Sequence, residues 1–143
     1  MASTFDDVKA AFADFTRTAW AAALTAASLP ASTPLTYDNL NFDPPQGPWA
    51  RLTVKHIRAD RATLGSVACR FRREGQTFVQ VFIPIGGGTQ TADILAESLV
   101  EAFENAAAID NIWFRNVRMR EVGPDGTFYQ VNVELDFTFD RIS

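Results

Sequence analysis

The chain has 143 residues, 47% hydrophobic and 21% charged, the balance of one ordinary globular domain with room for a proper core. Its net charge of −4 argues against wrapping a nucleic acid through a general phosphate-binding face. The single cysteine, Cys69, excludes an internal disulfide and a cysteine-built zinc site, and no apolar run approaches the ~20 residues of a membrane span.

The opening MASTFDD lacks the basic and apolar regions of a signal peptide, so the expectation is a soluble protein made in a reducing cytoplasm. Ser3 or Thr4, followed by Asp6 and Asp7, resembles a capping box. Phe5, Val8, Phe12, Phe15 and Ala19 then recur at helical spacing, and the alanine-rich TAWAAALTAASL extends the helix to about Leu29. Pro30 and Pro34 end it. LTYDNLNF reads as a short strand stopped by DPPQGP, and WARLTVKHI as a strand by its alternation.

From Arg58 to Gly75 the alternation weakens, and the segment reads as a long hairpin arm rich in arginine. QTFVQVFIPI is apolar on both faces, which predicts a central strand covered on both sides. A second helix, TADILAESLVEAFENAA, has Ile94, Leu95, Leu99, Ala102 and Phe103 as its inward stripe. Two strands follow, joined by Gly123-Pro124-Asp125-Gly126. The last is the most regular: Val131, Val133, Leu135, Phe137 and Phe139 point one way, and Asn132, Glu134, Asp136, Thr138 and Asp140 the other. The expected fold class is α+β, a largely antiparallel sheet with the long N-terminal helix and the second helix packed on one face. The twelve phenylalanines predict an aromatic core.

Gly86-Gly87-Gly88, between a strand and a helix, has the outline of a phosphate loop. The chemistry is missing. A Walker loop needs a Lys and then a Ser or Thr after its glycines, and here Thr89-Gln90-Thr91-Ala92-Asp93 follows. Asp93 would repel an anion at that helix end, so the glycines are expected to supply positive φ at a turn, with Thr89 or Thr91 as cap. His56, the only histidine, reads as a structural residue within a strand, and Cys69 as a small packed hydrophobe. No catalytic, cofactor-binding or metal site is expected.

Two charged groupings remain. Glu134, Asp136 and Asp140 share one face of the last strand, while Arg58, Arg61, Arg70, Arg72 and Arg73 concentrate in the arm of an otherwise acidic chain. Each grouping alone fits a solvated surface. Together they suit head-to-tail association, in which unlike patches meet and the rotation closes a ring. An acidic lumen of such a ring would repel DNA phosphates.

In order and spacing, several segments resemble the tail-terminator, or tail-completion, proteins of long-tailed bacteriophages and related particles. They are the alanine-rich first helix, Tyr37-Asp38-Asn39-Leu40-Asn41-Phe42-Asp43-Pro44-Pro45, Trp49-Ala50-Arg51-Leu52, and an arm closing on Arg72-Arg73-Glu74-Gly75. Val79-Gln80-Val81 with Pro84 and Gly86, Ala92-Asp93-Ile94-Leu95-Ala96-Glu97-Ser98-Leu99, and Phe128-Tyr129 before Val131 and Val133 complete the set. The resemblance implies one tail-terminator-like domain over 1–143, with its arm at about 58–75. It also implies a hexameric ring on the head-proximal end of the tail tube, assembled in the host bacterial cytoplasm and carried in the virion. Such a ring ends tube growth, joins head-completion proteins and lets genomic DNA pass through its lumen; no membrane is involved. Another neck component is the first alternative. A small thioesterase-like or ligand-binding α+β domain, with His56 set against Glu74 or Asp93, is the second.

Overall fold

The computed structural model describes residues 4–38, 40–61, 70–106 and 108–142. Helix α1 spans Phe5–Ala26 and α2 spans Gln90–Ala106. The strands are β1 (Leu35–Tyr37), β2 (Trp49–Arg61), β3 (Arg70–Pro84), β4 (Ala108–Ile109), β5 (Ile112–Asp125) and β6 (Phe128–Ile142). They form one six-stranded sheet in the order β1-β2-β3-β6-β5-β4, antiparallel throughout except for the short parallel pair β1·β2. The fold is therefore α+β, as expected.

Helix α1 starts where its chemistry directs. Thr4 is the N-cap: the Asp7 amide donates to the Thr4 hydroxyl at 3.0 Å, and the Thr4 amide donates to the Asp7 carboxylate at 3.1 Å. The helix ends three residues short of Leu29, before either proline is reached. Ser28 adopts φ 58°, and the Leu29 amide closes back on the Leu24 carbonyl at 2.9 Å, a left-handed cap that terminates the helix by itself. The Trp20 indole N–H donates to the Thr33 carbonyl and pins the connector to the helix.

The core lies between the helices and one sheet face. Val8, Phe12, Ala19, Trp20, Ala23 and Leu24 of α1 are buried, while Phe5, placed on the same stripe by spacing, is 47% exposed. On α2 the buried set is Ala92, Leu95, Ala96, Leu99 and Phe103; Ile94 and Ala102 are only half-buried. Two alanines turn inward because α2 packs close to both α1 and the sheet. The inward stripe of β6, Val131, Val133, Leu135, Phe137 and Phe139, is buried throughout. Phe12 meets Phe137 at 5.1 Å and Phe114 at 5.6 Å between ring centroids, and Phe15 meets Phe103 at 5.0 Å, so the core is aromatic.

Strand β3 is central, but it is not covered evenly on both sides. Its second face is apolar at one end, where Phe82 stacks on Trp49 at 4.1 Å with Phe42 and Phe128 beside them, and again at Phe78, under the Lys55 ammonium. Gln76 and Gln80 stand on that face too. The β5–β6 turn also falls later than Gly123-Pro124-Asp125-Gly126 suggests. Asp125 still pairs with Phe128, so the loop is Gly126-Thr127, and Gly123 at φ 100° sits at a bulge within β5.

Candidate interaction surfaces

The arm is continuous with the sheet. Arg58, Ala59, Asp60 and Arg61 of β2 pair with Glu74, Arg73, Arg72 and Phe71 of β3, after a register shift between His56 and Arg58. Strand β6 runs along it too, pairing Arg70 with Ile142 and Arg73 with Phe139, so the arm is three-stranded rather than a simple hairpin. Cys69 and the side chains of Arg61 and Arg70 lie outside the described residues.

The remaining arm arginines point to two different sides, as pleat alternation requires. Arg58 and Arg72 stand on the face away from the helices. Arg58 lies 3.8 Å from Glu74, and Arg72 donates to Asp140 at 3.2 Å, a bond that raises the guanidinium pKa further. Arg73 points toward the helices. Its guanidinium sits 4.4 Å from the Phe5 ring and 5.8 Å from the Phe139 ring, bridging the start of α1 to the root of the arm.

His56 belongs to the same junction. Its ring packs 4.4 Å from Phe5, 5.8 Å from Phe137 and 6.1 Å from Phe139. Burial lowers its pKa; the Phe5 backbone opposes that shift, while Lys9 and Arg73 add to it. Glu74 stands on the opposite sheet face, between Arg58 and Arg115, and Asp93 accepts from Thr89 at the start of α2. Neither carboxylate is brought to the imidazole, so the pairing a thioesterase-like reading requires does not form. Among the described residues no group of His, Cys, Asp and Glu has metal-binding geometry, and no helix is long and apolar enough to cross a membrane.

The strand face bearing Glu134, Asp136 and Asp140 is neither bare nor simply acidic. Arg120 donates to Glu134 at 2.9 Å, and Arg118 lies 3.4 Å from Glu134 and 3.8 Å from Asp136. Asn116 and Gln76 also donate to Asp136, and Arg115 donates to Thr138. Glu134 itself is only 5% exposed, with Asn132 and Gln130 buried beside it in a chain of side-chain hydrogen bonds. The result is a polar ladder in which β5 and β3 supply guanidinium groups to the carboxylates of β6. Sequence reading missed Arg115, Arg118 and Arg120. Their spacing along β5 was visible, but their partners became definite only once the β5·β6 register was known.

The net negative charge sits elsewhere. The two helices carry Asp6, Asp7, Asp14, Asp93, Glu97, Glu101 and Glu104 against Lys9 and Arg17 alone. The helical layer is therefore the acidic surface, and on the outer sheet face Glu74, Glu134, Asp136 and Asp140 each have a guanidinium neighbour.

The glycine loop turns as expected. Gly86 and Gly88 have φ of 101° and 79°, and Thr89 stands just before α2 with its hydroxyl donating to Asp93. Acceptor oxygens, not cations, occupy the place where a phosphate would have to sit.

The fold is thus an α+β layer whose charged groups are engaged with one another across a sheet face. The chain belongs to the phage tail terminator protein family, whose model matches residues 7–133. It is accordingly a structural component of a phage tail. No curated protein matches the sequence. One solved structure, whose name states no function, is 22% identical with a TM-score of 0.57, over 89% of this chain and 94% of its own. At that identity the likeness speaks for the fold alone.

Proposed function

We propose that the chain closes the head-proximal end of a tail tube as a ring of identical subunits, six by the family resemblance. The ring stops tube polymerisation and offers a surface to the proteins that complete the head. The observation that carries this reading is the family match over residues 7–133, which takes in nearly all of α1, the whole of α2 and the first part of β6. The site geometry is compatible with it: the carboxylates of the β6 ladder are held by guanidinium groups of the same subunit, leaving shape and surface to do the work.

Within that reading, the outer sheet face is the surface past which genomic DNA moves. A ladder in which each β6 carboxylate has a guanidinium neighbour offers no strongly attractive or repulsive field, so the polymer slides without sticking. The arm lies between subunits or against the tube, with Arg58 and Arg72, 65% and 52% exposed at the side chain, turned outward for partner contacts. Arg61 and Arg70 flank them in sequence. Arg73 is committed to Phe5 and Phe139 and holds the arm to its own subunit.

Particles assembled without this protein test the reading. Overlong tails without heads support a terminator; tails of normal length that fail to join heads indicate another neck component. Loss of capping by an Arg58→Ala/Arg72→Ala variant, with an unchanged melting temperature, supports the arm contact.

A further inference from the structure

Both margins of the sheet are mostly uncovered, and their uncovered parts are complementary. Strand β1 covers β2 only at Ala50, Arg51 and Leu52; beyond Leu52, no strand among the described residues lies on that side of β2. Strand β4 covers β5 only at Ile112 and Trp113, and β5 from 114 to 125 is likewise uncovered on that side. Edges of this length and width invite another chain. Exposed apolar side chains gather on them as well: Ile57 at 62% on β2, and Met119 at 43% and Val122 at 44% on β5.

We propose that the uncovered half of β2 in one copy pairs antiparallel with the uncovered half of β5 in the next, joining neighbouring sheets around the ring. Strand direction permits this without a break, because β2, β3, β6 and β5 alternate in sense. An unlike edge therefore meets its opposite under a simple rotation.

The register of the sheet supplies the second argument. Leu52, Val79, Val133 and Met119 lie at one level, so the open part of β5 is offset from the open part of β2 by about five residues along the strands. Closing a ring of tilted strands requires such a stagger between its ends. In the staggered pairing β1 abuts the far end of the neighbour's β5, and the neighbour's β4 lies past the arm. The two short strands then act as stops that set the register and bring Ile57 close to Met119.

Charge does not oppose the approach. Arg115, Arg118 and Arg120 face the open part of the incoming β2 with its Lys55 and Arg58, but the carboxylates of Glu74, Glu134 and Asp136 already lie beside these four arginines within each subunit. The polar ladder thus makes a cationic pair of edges joinable.

This inference rests on the ring reading, and one experiment separates the two. In a Cys69→Ser background, Ile57→Cys chains and Met119→Cys chains are treated with a short bismaleimide, separately and mixed, while native mass is measured for the unmodified protein. Crosslinked dimers in the mixture alone are expected, together with loss of the ring from Ile57→Lys and Met119→Lys chains that keep their circular dichroism and melting temperature. Dimers from either chain alone mean that like edges meet, which overturns the proposal. A ring by mass with no crosslink in the mixture, or one that survives both lysine variants, overturns it and leaves the ring intact. A strict monomer at high concentration overturns both.

Discussion

Phe137 lies across Gly75 on the neighbouring strand, its ring filling the space where any other residue at position 75 would carry a side chain. A Cβ there would also press on the Lys55 carbonyl oxygen of β2, and main chain cannot swing aside as a side-chain tip can. Gly75→Ala is expected to lower stability by about 1–3 kcal/mol or more, read as a fall in the urea midpoint. Adding Phe137→Ala relieves the ring contact but not the carbonyl contact. The double variant should therefore fall short of the sum of the two single losses.

Glu134 is the residue on which the polar ladder converges. It is nearly buried, whereas Arg118 and Arg120 keep 40% and 63% of their side chains exposed. Loss of a partner is therefore felt at the carboxylate, which water barely reaches. Arg120→Ala should cost about 1–3 kcal/mol. Arg58→Ala, at a longer and more exposed contact, should cost under ~1 kcal/mol. Urea midpoints of the two variants decide the order, and equal losses would contradict it.

His56 makes stability depend on pH in one direction. Its folded pKa lies below the ordinary 6.5, so below that value the unfolded chain takes up a proton that the folded chain refuses. Stability is full above about pH 6.5 and declines as the solution is acidified toward the folded pKa. Thermal unfolding between about pH 7.5 and pH 5 should show this decline, and His56→Gln should flatten it.

The glycine loop serves backbone geometry alone. Gly88→Ala places a side chain at positive φ and should cost about 1–2 kcal/mol, with no steric contribution because the space around it is open. Millimolar ATP or phosphate should leave the melting temperature unchanged, since a ligand stabilises only what it binds. A rise of several degrees would restore the phosphate-loop reading.

Much of this architecture could be read along the chain, because the signals are local. Capping by Thr4 and Asp7, the period-two alternation of β6 and the turn glycines before α2 each depend on a few neighbouring residues. The α+β class and the assignment to tail terminators followed from the order of such segments. Where local signals competed, the left-handed cap at Ser28 ended α1 ahead of Pro30; where packing competed with spacing, packing won, and α2 turned Ala92 and Ala96 inward because the layers lie close.

What the sequence determined by itself was which residues alternate, cap and turn, and so the kind of fold. Only the tertiary structure decided which charges meet. Glu134 and Asp136 look like a bare acidic row in the chain, but they become half of a ladder once β5 is placed beside them with its bulge between Arg115 and Arg118. The reason is physical. Strand alternation is written into consecutive residues, whereas strand order, register and bulges arise from contacts between segments far apart, and a shift of one residue would have turned every arginine of β5 to the other face.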